Sequence, residues 1–355
     1  MMIDILYIAN ARIPTEKAHG LAIMKMCEAL SSRGVNVSLI IPKKLNKIKE
    51  NPFEYYKVSE SFKIKKIFNI DLVFLGKVGF IVQAIDFALG AFIYCLFKKP
   101  TVFYGRDELT LSLLSLFKKN VVWESHTAKN SFWVKVLLKR CQKLVVISNG
   151  LKNYYISLGV SSEKILVLAS GVDVKQFDGI KESKIEIREK LGLPVNKKIV
   201  AYIGKDNTMG VSKGVDELKE VFKFIQEENS EIYLLIVADK PPKLLPLYMK
   251  ASDVLIMNYP NMEHFANYMS PLKMFEYMAS GRPIVTPDLP SIREVLNDND
   301  VVFFKPGDSK SMSFAVEKVL ADNNLAKHLS INVSNKAQLY TWDKRAQKII
   351  NFIKQ

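Results

Sequence analysis

Cysteine is scarce in the 355-residue chain: Cys27, Cys95 and Cys141 stand far apart, each inside a helix-like pattern. An odd count without metal spacing excludes a disulfide framework and a cysteine-built metal site, and a reducing cytosol is the expected compartment. Histidine is almost as rare, with four residues. No internal repeat, low-complexity tract or complete Gly-x-Gly-x-x-Gly pattern is present. The opening Met-Met-Ile-Asp-Ile-Leu-Tyr-Ile-Ala-Asn lacks the basic stretch, long apolar run and small-residue cleavage site of a leader, so a buried first strand is expected there.

Acidic residues are short in one half only. Residues 1–175 hold 26 Lys+Arg against 13 Asp+Glu, net +13, whereas residues 176–355 hold 25 against 23, net +2. Nearly all of the overall +15 therefore sits in the first half, which suits an anionic partner: nucleic acid, acidic lipid headgroups or a phosphorylated substrate. Residues 43–66 concentrate the trend. Lys43, Lys44, Lys47, Lys49, Lys57, Lys63, Lys65 and Lys66 alternate with Phe53, Tyr55, Tyr56 and Phe62, a composition that fits either a membrane interface or a solvated surface loop.

The length favours two domains. Short β-branched runs at 3–8, 36–41, 101–104, 120–124, 143–147, 199–203, 232–237, 254–257, 284–286 and 301–304 alternate with amphipathic segments at 20–33, 78–97, 131–140, 214–228, 271–279 and 311–321. Such alternation predicts parallel sheets with crossover helices, in two series. The alternation pauses in polar, Gly-containing sequence around Ser170 to Gly179, which places the hinge there. Residues 78–97 are long and apolar enough to span a bilayer, but Gln83 and Asp86 fall mid-segment and a strand follows at once, so a buried crossover helix is expected.

Ligands of open α/β sheets bind beyond the carboxyl ends of the strands. After the first strand, the polar loop from Asn10 to Gly20 opens onto a helix, and Gly20 could let a phosphate approach the backbone. His126 follows the strand that ends near Glu124. Arg106 follows another, where Arg106 and Asp107 could equally form a surface ion pair. In the second half, Gly204, Lys205, Lys213 and Gly214 flank one strand-to-helix loop, a set suited to neutralising a diphosphate. Ser270 and Pro271 mark a helix start, with Ser270 expected as N-cap and Pro271 as first helical residue. Pro271, Met274, Phe275 and Met278 should form the buried face, while Lys273, Glu276 and Ser280 share another. The helix-start amides could hold an anion, and Glu276 could accept two ribose hydroxyls. Asp298-Asn-Asp300 fits an Asp-x-Asp metal pattern but reads as a polar turn.

These segments resemble the retaining nucleotide-sugar glycosyltransferases of family 4, group 1 type. The similarity runs through Lys17-Ala-His-Gly20, Glu124-Ser-His126, Val145 to Gly150, Ala169 to Phe177, Gly204-Lys205 with Lys213-Gly214, Ser270 to Val285, and a final helix from Tyr340. It implies the GT-B architecture: two Rossmann-like, doubly wound α/β domains facing a central cleft. The expected domains are an acceptor-binding one over 1–172, a nucleotide-sugar-binding one over 173–335, and a helix over 336–355 that returns to the first.

The resemblance further implies a hexosyltransferase-type, retaining enzyme that needs neither cofactor nor metal and uses a nucleotide-diphosphate sugar as co-substrate. Lys205 and Lys213 would hold the diphosphate and act in catalysis with His126, which would contact the donor sugar. Gly20, Gly204, Ser270, Pro271, Leu272, Lys273 and Glu276 would bind the donor, Gly20 at the domain interface. His19 and Arg106 would serve the acceptor, a glycan or a polyprenyl- or lipid-linked molecule rather than nucleic acid. Assembly of a surface polysaccharide or glycolipid on the cytoplasmic membrane face would suit the basic first half. The same architecture also hosts nucleotide-sugar epimerases and hydrolases, and a non-catalytic nucleotide-sugar or polyanion-binding protein is the reading from another class.

Two departures from the family are visible. Tyr268 stands where a second carboxylate is usual, with Glu263 nearby but out of register. The stretch from Leu234 to Met257 is abridged, so the nucleobase is left unassigned.

Overall fold

A computed structural model describes residues 3–208 and 210–355. Met1, Met2 and Met209, the last inside the Lys205–Lys213 loop, lie outside the described residues. The chain divides into two compact units, one of Met1–Ala169 with Trp342–Gln355 and one of Ser170–Thr341. The first boundary thus falls three residues earlier than the expected 172, and the returning segment starts at Trp342 rather than at 336.

In the first unit the order is β1 (Asp4–Ile8), α1 (Ala18–Ser32), β2 (Asn36–Pro42), α2 (Pro52–Tyr56), β3 (Lys63–Ile67), α3 (Gly76–Leu96), β4 (Val102–Gly105), α4 (Glu108–Ser115), β5 (Val121–Ser125), α5 (Phe132–Arg140), β6 (Lys143–Val146), α6 (Asn149–Ser157) and β7 (Ile165–Val167). The seven strands form one all-parallel sheet in the order β3-β2-β1-β4-β5-β6-β7. Its central strands are buried on both faces, which is why they read as continuous apolar runs such as Asp4-Ile-Leu-Tyr-Ile8.

The second unit continues with α7 (Val174–Asp178), α8 (Lys184–Leu191), β8 (Lys198–Ile203), the short hairpin β9 (Asn207–Thr208) and β10 (Val211–Ser212), α9 (Val215–Glu228), β11 (Ile232–Val237), α10 (Leu245–Ala251), β12 (Val254–Ile256), α11 (Leu272–Ser280), β13 (Ile284–Pro287), α12 (Pro290–Arg293), β14 (Val302–Phe304), α13 (Ser309–Ala321) and α14 (Asn323–Ala337). Its parallel sheet runs β11-β8-β12-β13-β14, and α15 (Trp342–Lys354) belongs to the first unit. A core of Val200, Tyr202, Leu218, Phe222, Ile256, Val285 and Val316 fills the space between this sheet and its helices.

Each of the ten expected strands forms within one residue of its reading, and the six expected helices within two. Residues 43–66 are not a plain loop, since they contain α2 and the edge strand β3. In Lys63-Ile-Lys-Lys-Ile67 the exposed lysines blunt the sheet edge, and that high charge hid the strand. Helix α3 also departs from the expectation of a buried crossover. Its buried residues are confined to one narrow stripe, Gly79, Gln83, Phe87, Ala88, Ala91 and Cys95.

One buried carboxylate organises the first unit. Glu124, 1% exposed at the end of β5, accepts from the Tyr104 hydroxyl of β4, from Arg106 Nη2 at 2.9 Å and from His126 Nε2 at 2.6 Å. Arg345 of α15 reaches the same carboxylate at 3.2 and 3.3 Å and donates from Nε to the Ala169 carbonyl at 3.1 Å. Burial pushes the Glu124 carboxyl up, but the guanidinium groups of Arg345 and Arg106 outweigh it and hold the group well below its usual range. Around the rim of the same unit, Arg33 pairs with Asp343 at 2.5 Å. Replacing Glu124 by Gln leaves two buried guanidinium groups short of a counter-charge, so Glu124→Gln should destabilise the first unit by about 3–5 kcal/mol in urea unfolding, far more than Arg33→Ala at the exposed pair.

Candidate active site

Strand β8 ends at Ile203, whose amide donates to the buried Tyr277 hydroxyl of α11 at 2.8 Å. That bond ties the end of the strand to the helix. Lys273 lies one turn before Tyr277 on the same face, so its side chain is brought over the strand end. Its ammonium sits 3.6 Å from the centroid of the Tyr202 ring and 5.8 Å from that of Tyr259. Lys273 Nζ is buried and has no hydrogen-bond partner among the described residues. Gly204 follows with φ +133°, which favours glycine, and a Cβ there would crowd Lys273 Nζ at 3.2 Å.

The loop after Gly204 is shaped by Asp206, a residue not singled out from the sequence. Its Oδ1 accepts from the Ser212 hydroxyl at 3.0 Å and from the amides of Lys213 and Val215 at 3.0 and 3.1 Å. Burial opposes the charge, yet these bonds hold the Asp206 carboxyl below its ordinary value. The loop closes at Gly214, with φ +77°, where a Cβ would strike Asn258 Nδ2 at 2.6 Å. Lys213 is nearly buried and donates from Nζ to the Lys205 carbonyl at 2.8 Å. The Lys205 side chain is exposed and pairs with Asp239 at 2.5 Å. Of the two loop lysines, Lys213 is the one whose charge is felt by Lys273.

Burial, then the charge of Lys213, push Lys273 well below the ordinary lysine range, and burial also lowers Lys213. A desolvated cation–π contact returns about 2 kcal/mol, less than the several kcal/mol that burying an ammonium costs. The Lys205 carbonyl and the Asp206 charge offset part of that cost for Lys213, whereas the Lys273 ammonium has no hydrogen-bond acceptor among the described residues. Glu276, three residues on from Lys273, is raised to about 7 by burial, with Lys273 acting in the opposite direction.

Ser270 does not cap the helix as expected. Its hydroxyl accepts from the Ser170 amide at 2.9 Å and its carbonyl from the Ser170 hydroxyl at 2.7 Å. Pro271 takes the N-cap position rather than the first helical one, and α11 begins at Leu272 with no side-chain cap. The first amides of a nine-residue helix are therefore left without a protein side chain, at the residue where Lys273 stands. Met274, Phe275 and Met278 are buried as read, but Tyr277, Ala279 and Ser280 join them, while Pro271 is half-buried.

In the first unit, His126 and Arg106 meet at Glu124. Arg106 therefore does not pair with Asp107, whose Oδ2 instead caps α4 by accepting from the Thr110 amide at 3.0 Å. Burial and then the Arg106 charge pull His126 down to about 4, so its imidazole is neutral at physiological pH. Because a carboxylate only accepts, Nε2 carries the proton and Nδ1 is left as an acceptor. His19 is exposed in the first turn of α1. Gly20 has a packing reason of its own. A Cβ there would lie 2.2 Å from the Tyr56 hydroxyl, which donates to the Thr15 carbonyl at 2.8 Å and accepts from its amide at 2.6 Å.

The Tyr268 hydroxyl donates to Glu263 Oε1 at 2.7 Å, so the residue in the family's carboxylate position holds the nearest carboxylate beside it. Asp298 pairs with Arg293 at 2.6 Å, and Asp300 with Lys336. Both carboxylates of the Asp-x-Asp pattern are thus matched to cations, and no cluster of three potential metal ligands occurs among the described residues.

A carboxyl raised in the folded state contributes stability that is fully present below its unfolded value and lost as pH rises through its folded value. For Glu276 that window runs from 4.5 to about 7. In the ligand-free protein, Glu276→Gln should therefore remove a decline of melting temperature with rising pH across this window. A profile identical to that of the unsubstituted protein would contradict the burial of this carboxyl.

The model described as Glycosyltransferase Family 4 matches residues 21–176, and that described as Glycosyl transferases group 1 matches residues 197–322. Among curated proteins, the chain is similar to TuaC of Bacillus subtilis, a glycosyltransferase provisionally assigned to teichuronic acid biosynthesis. The two are 21% identical over 166 residues, or 43% of this chain and 40% of TuaC, so the match spans less than half of that relative. Among solved structures, HepE of Anabaena, in complex with UDP and glucose, superposes with a TM-score of 0.70 at 13% identity over 99% of both chains. Sucrose-phosphate synthase of Thermosynechococcus elongatus gives 0.73 at 16% identity over 99% of this chain and 98% of that one. With two matching domain families and two parallel-sheet α/β units, the chain belongs to the family 4, group 1 glycosyltransferases of GT-B architecture.

Proposed function

We propose that the protein transfers a glycosyl unit from a nucleotide-diphosphate sugar to a glycan or lipid-linked acceptor at the anionic, cytoplasmic face of a membrane, in surface polysaccharide or glycolipid synthesis. The observation that carries this reading is Lys273 Nζ, buried without a hydrogen-bond partner among the described residues, beside Lys213 and the uncapped start of α11. A diphosphate supplies the missing negative charge, and the amides of Leu272 and Lys273 can donate to it. Glu276, one turn into the helix, is suited to the ribose hydroxyls. The UDP and glucose held by HepE support a donor of this chemical class.

As the bond to the anomeric carbon breaks, negative charge grows on the departing nucleoside diphosphate and positive charge on the sugar ring. Cations fixed beforehand at the leaving group stabilise that charge without reorganising. Front-face attack by the acceptor retains the anomeric configuration and requires no carboxylate nucleophile, so none is assigned, and the lysines supply the leaving-group charge that a metal would otherwise provide. Neutral His126, through Nδ1, and Arg106 serve sugar and acceptor recognition in the first unit, with His19 nearby. Lys205 is assigned a lesser part in diphosphate binding because its side chain is paired with Asp239.

Lys273→Met removes a buried ammonium that no hydrogen-bond acceptor reaches among the described residues. It should raise the melting temperature of the ligand-free protein yet lower donor-dependent transfer about 10²–10³-fold. Lys213→Ala should likewise lower transfer. A nucleoside diphosphate at ~100 times its dissociation constant should stabilise the unsubstituted protein by roughly 2.7 kcal/mol and Lys273→Met far less. Unchanged transfer and an unchanged nucleotide response in Lys273→Met would sink the assignment. Release of free sugar or an epimer without transfer, across a panel of acceptors, would move the protein to the hydrolases or epimerases.

A further inference from the structure

Helix α3 carries only two charged residues in 21, Lys77 at its start and Asp86 in the middle, and it is apolar on all sides. The stripe packed on the protein is narrow, with Gly79, Gln83, Phe87, Ala91 and Cys95 repeating every four residues. The opposite side exposes Val78, Ile81, Val82, Ile85, Leu89 and Ile93, with Val78 70% exposed and Ile93 59%. The most apolar stretch around this helix is only 33% buried. A soluble monomer rarely leaves so long an apolar row in water.

The two polar residues that argue against a membrane both turn towards the protein. The Gln83 side chain is fully buried and donates to Asn10 Oδ1 at 3.1 Å, and the half-buried Asp86 carboxylate accepts from the Ile70 amide at 2.7 Å. The outward stripe from Val78 to Ile93 is therefore free of charge. The other stripe packs against the first unit, so only one side of the helix is available to lipid.

Three lysines gather where α3 ends: Lys65 of β3, Lys98 just after α3 and Lys118 just after α4. Lys65 of β3 and Lys98 lie 5.7 and 5.2 Å from the ring centroid of Tyr94, and Lys118 Nζ reaches the Lys98 carbonyl at 3.5 Å. Phe117, 66% exposed, stacks on Phe92 at 5.6 Å and extends the apolar surface into this basic corner. An apolar stripe with a cationic rim is complementary to the acyl boundary and phosphate headgroups of an anionic bilayer.

We propose that α3 is an in-plane membrane helix, whose outward stripe seats in the acyl boundary of an anionic bilayer while the lysines gathered at its end bind headgroup phosphates. The inference deepens the membrane-face reading above and rests on it. Vesicle binding is measured without donor or acceptor, so its failure leaves the nucleotide results standing and can be told apart from theirs.

The test is co-sedimentation of the full chain with vesicles of phosphatidylcholine and phosphatidylglycerol in equal parts, at low and high salt. The comparison is the triple variant Ile81→Glu, Ile85→Glu, Leu89→Glu, all at exposed positions. The unsubstituted protein should bind, weaken with salt and keep a residual fraction bound. The triple variant, with an unchanged melting temperature, should lose about tenfold or more in partitioning. Should that variant fold poorly, Ile85→Cys bearing an environment-sensitive fluorophore serves instead, since Cys27, Cys95 and Cys141 are buried. Its emission should shift to the blue on adding vesicles. Binding equal to that of the unsubstituted protein in the triple variant, full release by salt, or an unshifted fluorophore overturns the proposal. So does a lipid-free dimer that the triple variant converts to monomer, which would assign the stripe to a second copy of the chain.

Discussion

A charge taken out of water must find an opposite charge or a set of hydrogen bonds, and the two units meet that constraint in opposite ways. In the first, Glu124 is enclosed by Arg106, Arg345, His126 and the Tyr104 hydroxyl, so the carboxylate is matched from within the protein. The network joins the ends of β4 and β5 to the C-terminal helix and fixes the tautomer of His126. In the second, Lys273 is buried against Tyr202 with Lys213 near enough to depress it further, and among the described residues no hydrogen-bond acceptor reaches its ammonium. A closed network holds a shape, whereas an open one calls for a ligand. Both are built from charged side chains at strand ends, but the carboxylate of the first is matched within the protein whereas the Lys273 ammonium of the second has no hydrogen-bond acceptor among the described residues.

Much of the fold could be read from the chain because its strands are β-branched runs buried on both faces, and its helices carry clear apolar stripes. The readings failed where charge or length masked an element. Strand β3 is five residues with three lysines, and β7 is three residues long, too short for any periodicity to register. Ser270 has the chemistry of an N-cap, but its hydroxyl is occupied by Ser170, one hundred residues away, and no local pattern reports that. Arg345 is likewise invisible, because its partner Glu124 is 221 residues distant. A local signal for Glu124 did exist: a lone carboxylate in the apolar run Val121-Val-Trp-Glu-Ser125 must have a buried partner. Lys273 and Glu276 could be placed on one helix because the apolar spacing of Met274, Phe275 and Met278 marks α11.

The apolar segment of α3 shows what hydropathy cannot resolve. Composition reports that residues 78–97 avoid water, but not which neighbour removes them from it. Packing supplies the answer for one stripe and leaves the other exposed. The surplus of positive charge in the first half of the sequence acquires a location in the same way, since part of it gathers where α3 ends. Family membership is thus compatible with the two proposals made for the chain, a donor diphosphate at Lys273 in the second unit and a bilayer against α3 on the first.

On the proposed reading, the Lys273 ammonium stays buried near Lys213 with no hydrogen-bond acceptor among the described residues until a diphosphate arrives. Titration of the Lys273 ε-carbon by NMR, in the free protein and with a saturating nucleoside diphosphate, tests it most directly. A value well below the ordinary lysine 10.5 is expected in the free protein, with a rise when the nucleotide binds. An ordinary value in the free protein, or one that does not move on binding, would contradict it.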